Sequence, residues 1–200
     1  MNCLRCGGGC KMKALLYCTK AKPYLYGHYV GFETKWQYDL TKNNEVFNNH
    51  KVLNGFIVAE CEIDKVEEIK HKFYGSDNIG YHTWTLTQND LCEKSCLNFG
   101  NLYDYIWEYD GYALHLSNVK AFDEPKDISL FYTNYCIDRY GITSCNMLMK
   151  APQNMCRVID FEGKPYVLIS IRPEWLCKIL NGEKTIEVRK QILNCLKEMI

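Results

Sequence analysis

The run from Ile169 to Lys190, ISIRPEWLCKILNGEKTIEVRK, decides the fold, because it reads as strand, helix, turn and strand in immediate succession. Tyr166 to Ile171 (YVLISI) is an apolar stretch of strand length. Arg172-Pro173-Glu174 follows. Pro173 suits the first turn of a helix, where a missing N–H costs nothing, and Glu174 complements the positive helix end. The helix is expected over Glu174 to Asn181, with Trp175, Leu176, Ile179 and Leu180 on one side and Lys178 on the other. Gly182 then supplies a residue that adopts positive φ at a helix end. Lys184 to Lys190 (KTIEVRK) alternates as a strand: Ile186 and Val188 share one face, Thr185, Glu187 and Arg189 the opposite one. The apolar pair should face a core and the three polar groups a surface or cleft. That triplet, with Lys184 presented by the Gly182 turn, is where chemistry is expected.

Working outward, Lys13 to Cys18 (KALLYC) reads as a strand, and Val52 to Ile63 (VLNGFIVAECEI) contains a second in which Phe56, Val58, Glu60 and Glu62 follow a period of two. Tyr24 to Asn49 has no clear period and reads as an irregular excursion with a hairpin around Asp39 to Asn44. Asp64 to Lys72 (DKVEEIKHK) predicts a short helix capped by Asp64, and Asp90 to Phe99 predicts another. Tyr112 to Phe122 (YALHLSNVKAF) is a further strand, ended by a turn at Asp123 to Lys126 (DEPK). No repeat, low-complexity tract or Pro-rich linker marks a domain boundary.

The 200 residues carry 24 Lys+Arg against 24 Asp+Glu, with 47% apolar and 14% aromatic residues. A chain of this size buries roughly 70% of its unfolded surface, so no metal or disulfide staple is obligatory, and disorder is excluded. No apolar run approaches the ~20 residues of a membrane span, and no charged-then-apolar segment opens the chain. The expectation is a soluble, cytoplasmic protein without a membrane partner. Zero net charge also excludes a protein that grips nucleic acid mainly through its phosphates, which needs a broad basic face. Any nucleic-acid role must rest on a local pocket.

Twelve cysteines are scattered from Cys3 to Cys195 and are expected to be reduced. Cys3, Cys6 and Cys10 cluster around Gly7, Gly8 and Gly9 in a Cys/Gly-rich N-terminal extension, residues 1–11. Cys3 and Cys6 have the spacing of a zinc-ligand pair, and Cys10 or Cys18 would extend the set, but no second pair with matching spacing follows. The expectation is therefore no cofactor, with free thiols on a flexible terminus, and zinc on Cys3, Cys6 and Cys10 as the alternative. Cys92, Cys96, Cys145 and Cys156 are expected to be buried free thiols.

Gly182, Lys184, Glu187 and Arg189 match a Gly-x-Lys-x-x-Glu-x-Arg pattern, and the segment carrying them resembles the opening of ASCH domains, a branch of the PUA-like β-barrel superfamily. Four other stretches are similar to phage-type members of that family: Leu15 to Tyr26, Gly55 to Ile69, Tyr112 to Phe131 and Ala151 to Ile159. The resemblance implies an α+β fold, a PUA-like β-barrel with short flanking helices. In those relatives the Gly-x-Lys-x-x-Glu-x-Arg segment comes first and the strand like Leu15 to Cys18 follows it; here the order is rotated. Residues 12–160 hold every element of such a domain except the first strand, the helix and the signature strand, and 165–190 hold those. A barrel lacking these strands would expose unpaired edges, which costs more than closing a longer loop. The expectation is one circularly permuted domain over 12–200, weighed against a decayed domain followed by a truncated second copy.

The resemblance further implies a cleft beside the signature strand that binds RNA or modified nucleosides. Lys184 and Arg189 would donate from cationic groups, Glu187 would accept and Thr185 would offer a hydroxyl, together touching a phosphate and a base edge. Lys20, Lys22 and Tyr24 would line the same cleft if the strand they follow neighbours the signature strand. Tyr26, Trp84 and Tyr112 extend the stacking surface. A ligand-contacting role predicts that Glu187→Ala and Lys184→Ala weaken RNA binding while leaving the melting temperature nearly unchanged. A binding module is favoured over an enzyme. The enzymatic alternative is a small hydrolase using Lys184 and Glu187: either an amidohydrolase on acetylated cytidine, although Glu187 stands where those relatives have Thr, or a ribonuclease with Glu187 as base. The third alternative is structural, with Glu187 and Arg189 paired on a solvated face. His115 is expected to be partly buried and hydrogen-bonded, and Trp175 to belong to the core.

Overall fold

The computed structural model describes residues 11–19, 55–76, 79–84, 88–106, 110–138 and 141–200. It is α+β and dominated by strands. In chain order the elements are β1 (Met12–Cys18), β2 (Ile57–Ile69), β3 (His71–Ser76), β4 (Ile79–Trp84), α1 (Gln88–Ser95), α2 (Phe99–Ile106) and β5 (Gly111–Lys126). A 3-10 turn (Ile128–Leu130) leads to β6 (Tyr132–Asp138), β7 (Gly141–Met147), β8 (Met155–Ile159), β9 (Pro165–Ile171), α3 (Pro173–Leu180), β10 (Ile186–Arg189) and α4 (Asn194–Lys197). Eight strands form one sheet in the order β10-β5-β2-β1-β9-β8-β6-β7, and β3 pairs with β4 separately. The described strands leave the large sheet open, with β10 and β7 at its two ends. No described helix is long and apolar enough to cross a membrane.

The chain divides into two compact units. One comprises the described parts of Lys13–Cys61 and Asn118–Asn181. Here β1 and β9 run parallel in register, Ala14 opposite Val167 through Cys18 opposite Ile171, and β8 flanks β9 antiparallel from Met155–Ile169 to Ile159–Pro165. Val167 to Ile171 are buried without interruption, so both faces of the strand are covered, which is why YVLISI carries no polar alternation. Its one polar member, the buried Ser170, donates its hydroxyl to the Pro152 carbonyl at 2.6 Å. Leu15, Tyr17, Ile57, Phe131, Leu148, Val158 and Leu168 form the core of this unit. Helix α3 starts at Pro173, one residue before the expected Glu174, buries Leu176, Cys177 and Ile179, and leaves Trp175, expected in the core, only half-buried with the Lys178 ammonium over its ring.

The other unit comprises the described parts of Met1–Met12, Glu62–Ser117 and Gly182–Ile200. β10 pairs antiparallel with β5, Ile186 opposite His115 through Arg189 opposite Tyr112. Ile186 and Val188 enter a core with Ile69, Leu91, Leu102, Ile106 and Ala113, on the face that their alternation predicts.

Four further sequence expectations differ. Asp64 to Lys72 is not a helix: β2 runs through to Ile69 and β3 begins at His71. Ile63, Val66 and Ile69 are buried at a spacing of three that imitates a helical stripe. The strand forms because β2 has a strand partner on each side, and tertiary pairing overrides local preference. The turn at Asp123 to Lys126 is absent, since β5 continues to Lys126; Pro125 stands next to the strand end, where a missing donor is tolerated. In the sheet order β5 and β2 stand between β10 and β1, so the signature strand neighbours β5 and not the strand that precedes Lys20. Finally, Cys145 is exposed and Cys92, Cys96 and Cys156 are only partly buried, all four as free thiols. The hairpin at Asp39 to Asn44 lies outside the described residues.

Candidate functional site

Gly182 ends the α3 turn with φ 75°, and nothing lies within 4 Å of where a Cβ would stand, so the glycine is there for its conformation and not for space. The chain that follows is fastened on both sides by backbone bonds. The Thr185 amide donates to the Lys94 carbonyl at 2.9 Å, and the Thr185 carbonyl accepts from the Leu116 amide at 2.9 Å. The Cys96 thiol adds a contact of 3.4 Å to the Glu183 carbonyl.

This fastening drives the Lys184 side chain inward. Its ammonium donates to the Ser95 carbonyl at 2.8 Å, at the end of α1, and lies 3.3 Å from Glu187 Oε2. The other carboxylate oxygen, Glu187 Oε1, is 2.9 Å from Arg189 Nη2. The Lys184 side chain is 2% exposed and those of Glu187 and Arg189 10% each. One carboxylate thus sits between two cations in a largely dry setting. Such clusters hold only where the mutual geometry offsets the desolvation of each ion, and here the Ser95 carbonyl adds a further acceptor. Of the four signature-strand candidates, the structure brings Lys184, Glu187 and Arg189 together and leaves Thr185 exposed. Glu187 and Arg189 therefore do not line an open face, because β10 is buried along its whole length.

An opening lies one step further along the same strand. Tyr112, Lys190, Gln191, Ile192 and Lys197 line a hollow of about 310 Å³. Residues directly opposite in an antiparallel pair share a face, so Tyr112 stands on the side of the sheet that carries Arg189 and Glu187. Two of the lining side chains are cationic and none is acidic. Lys190 also places its ammonium 5.5 Å from the centroid of the Tyr105 ring. Close approach of β5 to β10 and α2 depends on Gly111, where a Cβ would come within 3.2 Å of Ile106 Cγ2 and 3.3 Å of the Arg189 carbonyl. Tyr112 was among the aromatic candidates in the sequence. Lys190, Gln191 and Lys197 were not, since nothing local distinguishes them from any surface residue; only the pairing of Arg189 with Tyr112 brings them to one place.

On the opposite face, His115 is the hydrogen-bonded, partly buried histidine that the sequence suggests: its Nε2 is 2.6 Å from Glu67 Oε2. Burial pushes the Glu67 carboxyl up, but hydrogen bonds from Lys65 and His115 outweigh it and hold the group below its ordinary value. Nearby, the Ser117 side chain and the Lys11 ammonium, 3.0 Å away, hold Asp64 low as well. Lys20, Lys22, Tyr24 and Tyr26, the side chain of Trp84, and Cys3, Cys6 and Cys10 lie outside the described residues, and with them the zinc alternative. Among the described residues no three His, Cys, Asp or Glu side chains come together as metal ligands would.

Compared with models of protein families, with curated proteins and with solved structures, the chain matches none.

Proposed function

We propose that this chain is a binding module for RNA or a nucleotide-like ligand, built as a circularly permuted PUA-like domain of ASCH type with its first strand, helix and signature strand supplied by residues 165–190. The observation that carries the reading is the hollow of Tyr112, Lys190, Gln191, Ile192 and Lys197 on the Glu187–Arg189 side of the sheet. A tyrosine ring, an amide and two ammonium groups are the set that stacks on a base, reads its edge and meets a phosphate. The rotated order is supported by the place of β9, which the resemblance assigns to the start of such a domain and which pairs here with β1 and β8.

In this reading Lys184, Glu187 and Arg189 brace the strand and do not touch the ligand. Their burial favours binding over hydrolysis, because a nucleophilic Lys184 or a basic Glu187 needs a reacting atom within hydrogen-bond reach. The test is fluorescence anisotropy of a short labelled single-stranded RNA. Tyr112→Ala should weaken binding by about 1–3 kcal/mol, the worth of one stacked base. With two lysine contacts the logarithm of affinity should fall with the logarithm of salt at a slope of about −1.4. RNA and mononucleotides that both fail to bind, or a Tyr112→Ala variant that binds as the parent does, would overturn the assignment.

A further inference from the structure

We propose that the end of the sheet carrying Leu130, Met147, Met149 and Phe161 is a self-association surface, on which a second copy of this chain seats through a two-fold contact. Among the described residues six large apolar side chains are exposed, and these four all belong to the Asn118–Asn181 part of the chain. Their exposures are 54, 49, 81 and 78% respectively. Single exposed apolar residues need no explanation, but a group of them at one place marks a surface that something covers.

The sheet register makes these four a group. Tyr132, at the start of β6, stands opposite Met147 on one side and Ile159 on the other. The Leu148 amide continues the first pairing by donating to the Phe131 carbonyl at 2.8 Å. β6 begins where β7 and β8 end, so Leu130, two residues before Tyr132, leaves the sheet at the same end as Met149, two residues after Met147, and Phe161, two residues after Ile159. Neighbouring strands lie about 4.8 Å apart, so the row Met149, Leu130, Phe161 spans on the order of 10 Å of backbone. The turn that carries Phe161 is tied down: the Asp160 carboxylate accepts from the Glu162 and Lys164 amides at 3.0 and 2.9 Å and from the Tyr166 hydroxyl at 3.4 Å. An aromatic side chain on a turn already ordered loses less freedom when a partner covers it.

The charges beside the row choose the partner. Lys150 follows Met149 on one side, exposed, and Glu162 follows Phe161 on the other, exposed and in an ion pair with Lys164 that leaves its carboxylate able to accept from a second cation. A two-fold axis at Leu130, the middle of the row, sets Phe161 of each copy against Met149 of the other and Lys150 against Glu162. Such a contact is isologous, and opposite charge at the two ends of one row is what makes a surface complementary to itself. Sulfur against an aromatic ring is a favourable pair, and the two-fold forms it twice. Asp160 and Glu162 beside Phe161 disfavour an anionic lipid surface or a phosphate backbone in the same place.

The experiment is sedimentation equilibrium of the full chain from about 1 µM to about 1 mM, a range that brackets the weak association expected of a small contact. The parent should form a reversible dimer. Phe161→Ser and Met149→Ser should each raise its dissociation constant about tenfold or more, as loss of a central anchor does. Lys150→Glu and Glu162→Lys should each weaken the dimer, and the double variant should restore it, because the two-fold brings these positions of different copies together. Ile200→Ser, at an exposed apolar residue of the other unit, is the control and should leave the dimer unchanged. Thermal melts of each variant establish that it is folded. A parent that stays monomeric across the range overturns the proposal, and so does a dimer that the patch variants leave intact. Association that runs on beyond the dimer, or a dimer weakened by the apolar variants and not restored by the double charge reversal, overturns the two-fold arrangement. The hollow of Tyr112 and Lys190 lies in the other unit, so a monomer that binds RNA leaves the binding function standing.

Discussion

Arg189 and Tyr112 stand opposite each other where β10 meets β5, one inside a buried ion cluster and the other on the wall of an open hollow. The same side of one short strand therefore does two jobs in succession. Its interior residues lock the strand down, and the residues just past its end meet solvent.

The locking cluster makes the first prediction. Glu187→Ala leaves Lys184 and Arg189 as two buried cations without their shared carboxylate, and breaking such a network by one member costs about 3–5 kcal/mol. At about 2–4 °C per kcal/mol for a chain of this length, the melting midpoint should drop by roughly 6–20 °C. Burial thus reverses the expectation, drawn from a ligand-contacting role, that the midpoint would hardly move. Replacing all three with apolar residues of similar volume, Lys184→Met, Glu187→Leu and Arg189→Met, should recover much of the loss. Scanning calorimetry of the two variants decides it, and a single-site variant melting like the parent would show the cluster to be solvated.

Gly182 provides a local counterpart. At φ 75° an alanine is strained by about 1–2 kcal/mol, and the open space around its Cβ means that no clash adds to this. Gly182→Ala should lower stability by that amount in denaturant titration, and Gly182→Asn by less, because asparagine tolerates the left-handed region. A loss of several kcal/mol in both variants would point to a packing role that the geometry does not contain.

These two predictions mark what the sequence discloses and what it conceals. Pro173 at the helix start, Gly182 at its end and the alternation of Ile186 with Val188 are legible because each reports on its own few residues. The state of Glu187 is not. Whether a Lys-x-x-Glu-x-Arg strand is solvated or buried depends on the Ser95 carbonyl waiting under Lys184, a partner far away in the chain. The same holds for DKVEEIKHK, whose charges and apolar spacing suit a helix until two neighbouring strands compete for its backbone. The hollow was half-legible: Tyr112 shows as an aromatic on a strand, while Lys190, Gln191 and Lys197 acquire a meaning only from the β5–β10 register.

The Glu67–His115 pair predicts a pH dependence with a definite sign. The Glu67 carboxyl is lowered in the folded state, so the unfolded chain binds its proton more readily as pH falls. The stability this pair contributes is fully present above the ordinary glutamate value and is lost as pH falls through the lower, folded one. Glu67→Gln should therefore flatten the acid limb below about pH 4.5, the ordinary value of the group, in a series of denaturant titrations. Parent and variant losing stability in parallel across that range would show that His115 and Lys65 do not hold the carboxylate.

The most demanding prediction concerns the C-terminal segment. In its own unit β9 is paired on both sides, with β1 in parallel and β8 antiparallel, and Val167, Leu168, Ile169 and Ile171 are each at most 1% exposed. Burying four such side chains is worth about 1.5–3 kcal/mol each, and the sum rivals the whole 5–15 kcal/mol stability of an ordinary domain. Removing residues 161–200 should therefore abolish cooperative melting of the remainder, by leaving β1 and β8 with unpaired edges and an opened core. Supplying 161–200 as a separate chain in co-expression should restore it. A fragment ending at residue 160 that melts cooperatively alone would mean that a complete core precedes β9. The permuted arrangement, and with it the proposed binding function that draws on β10 and α4, would then give way to a complete first domain followed by part of a second.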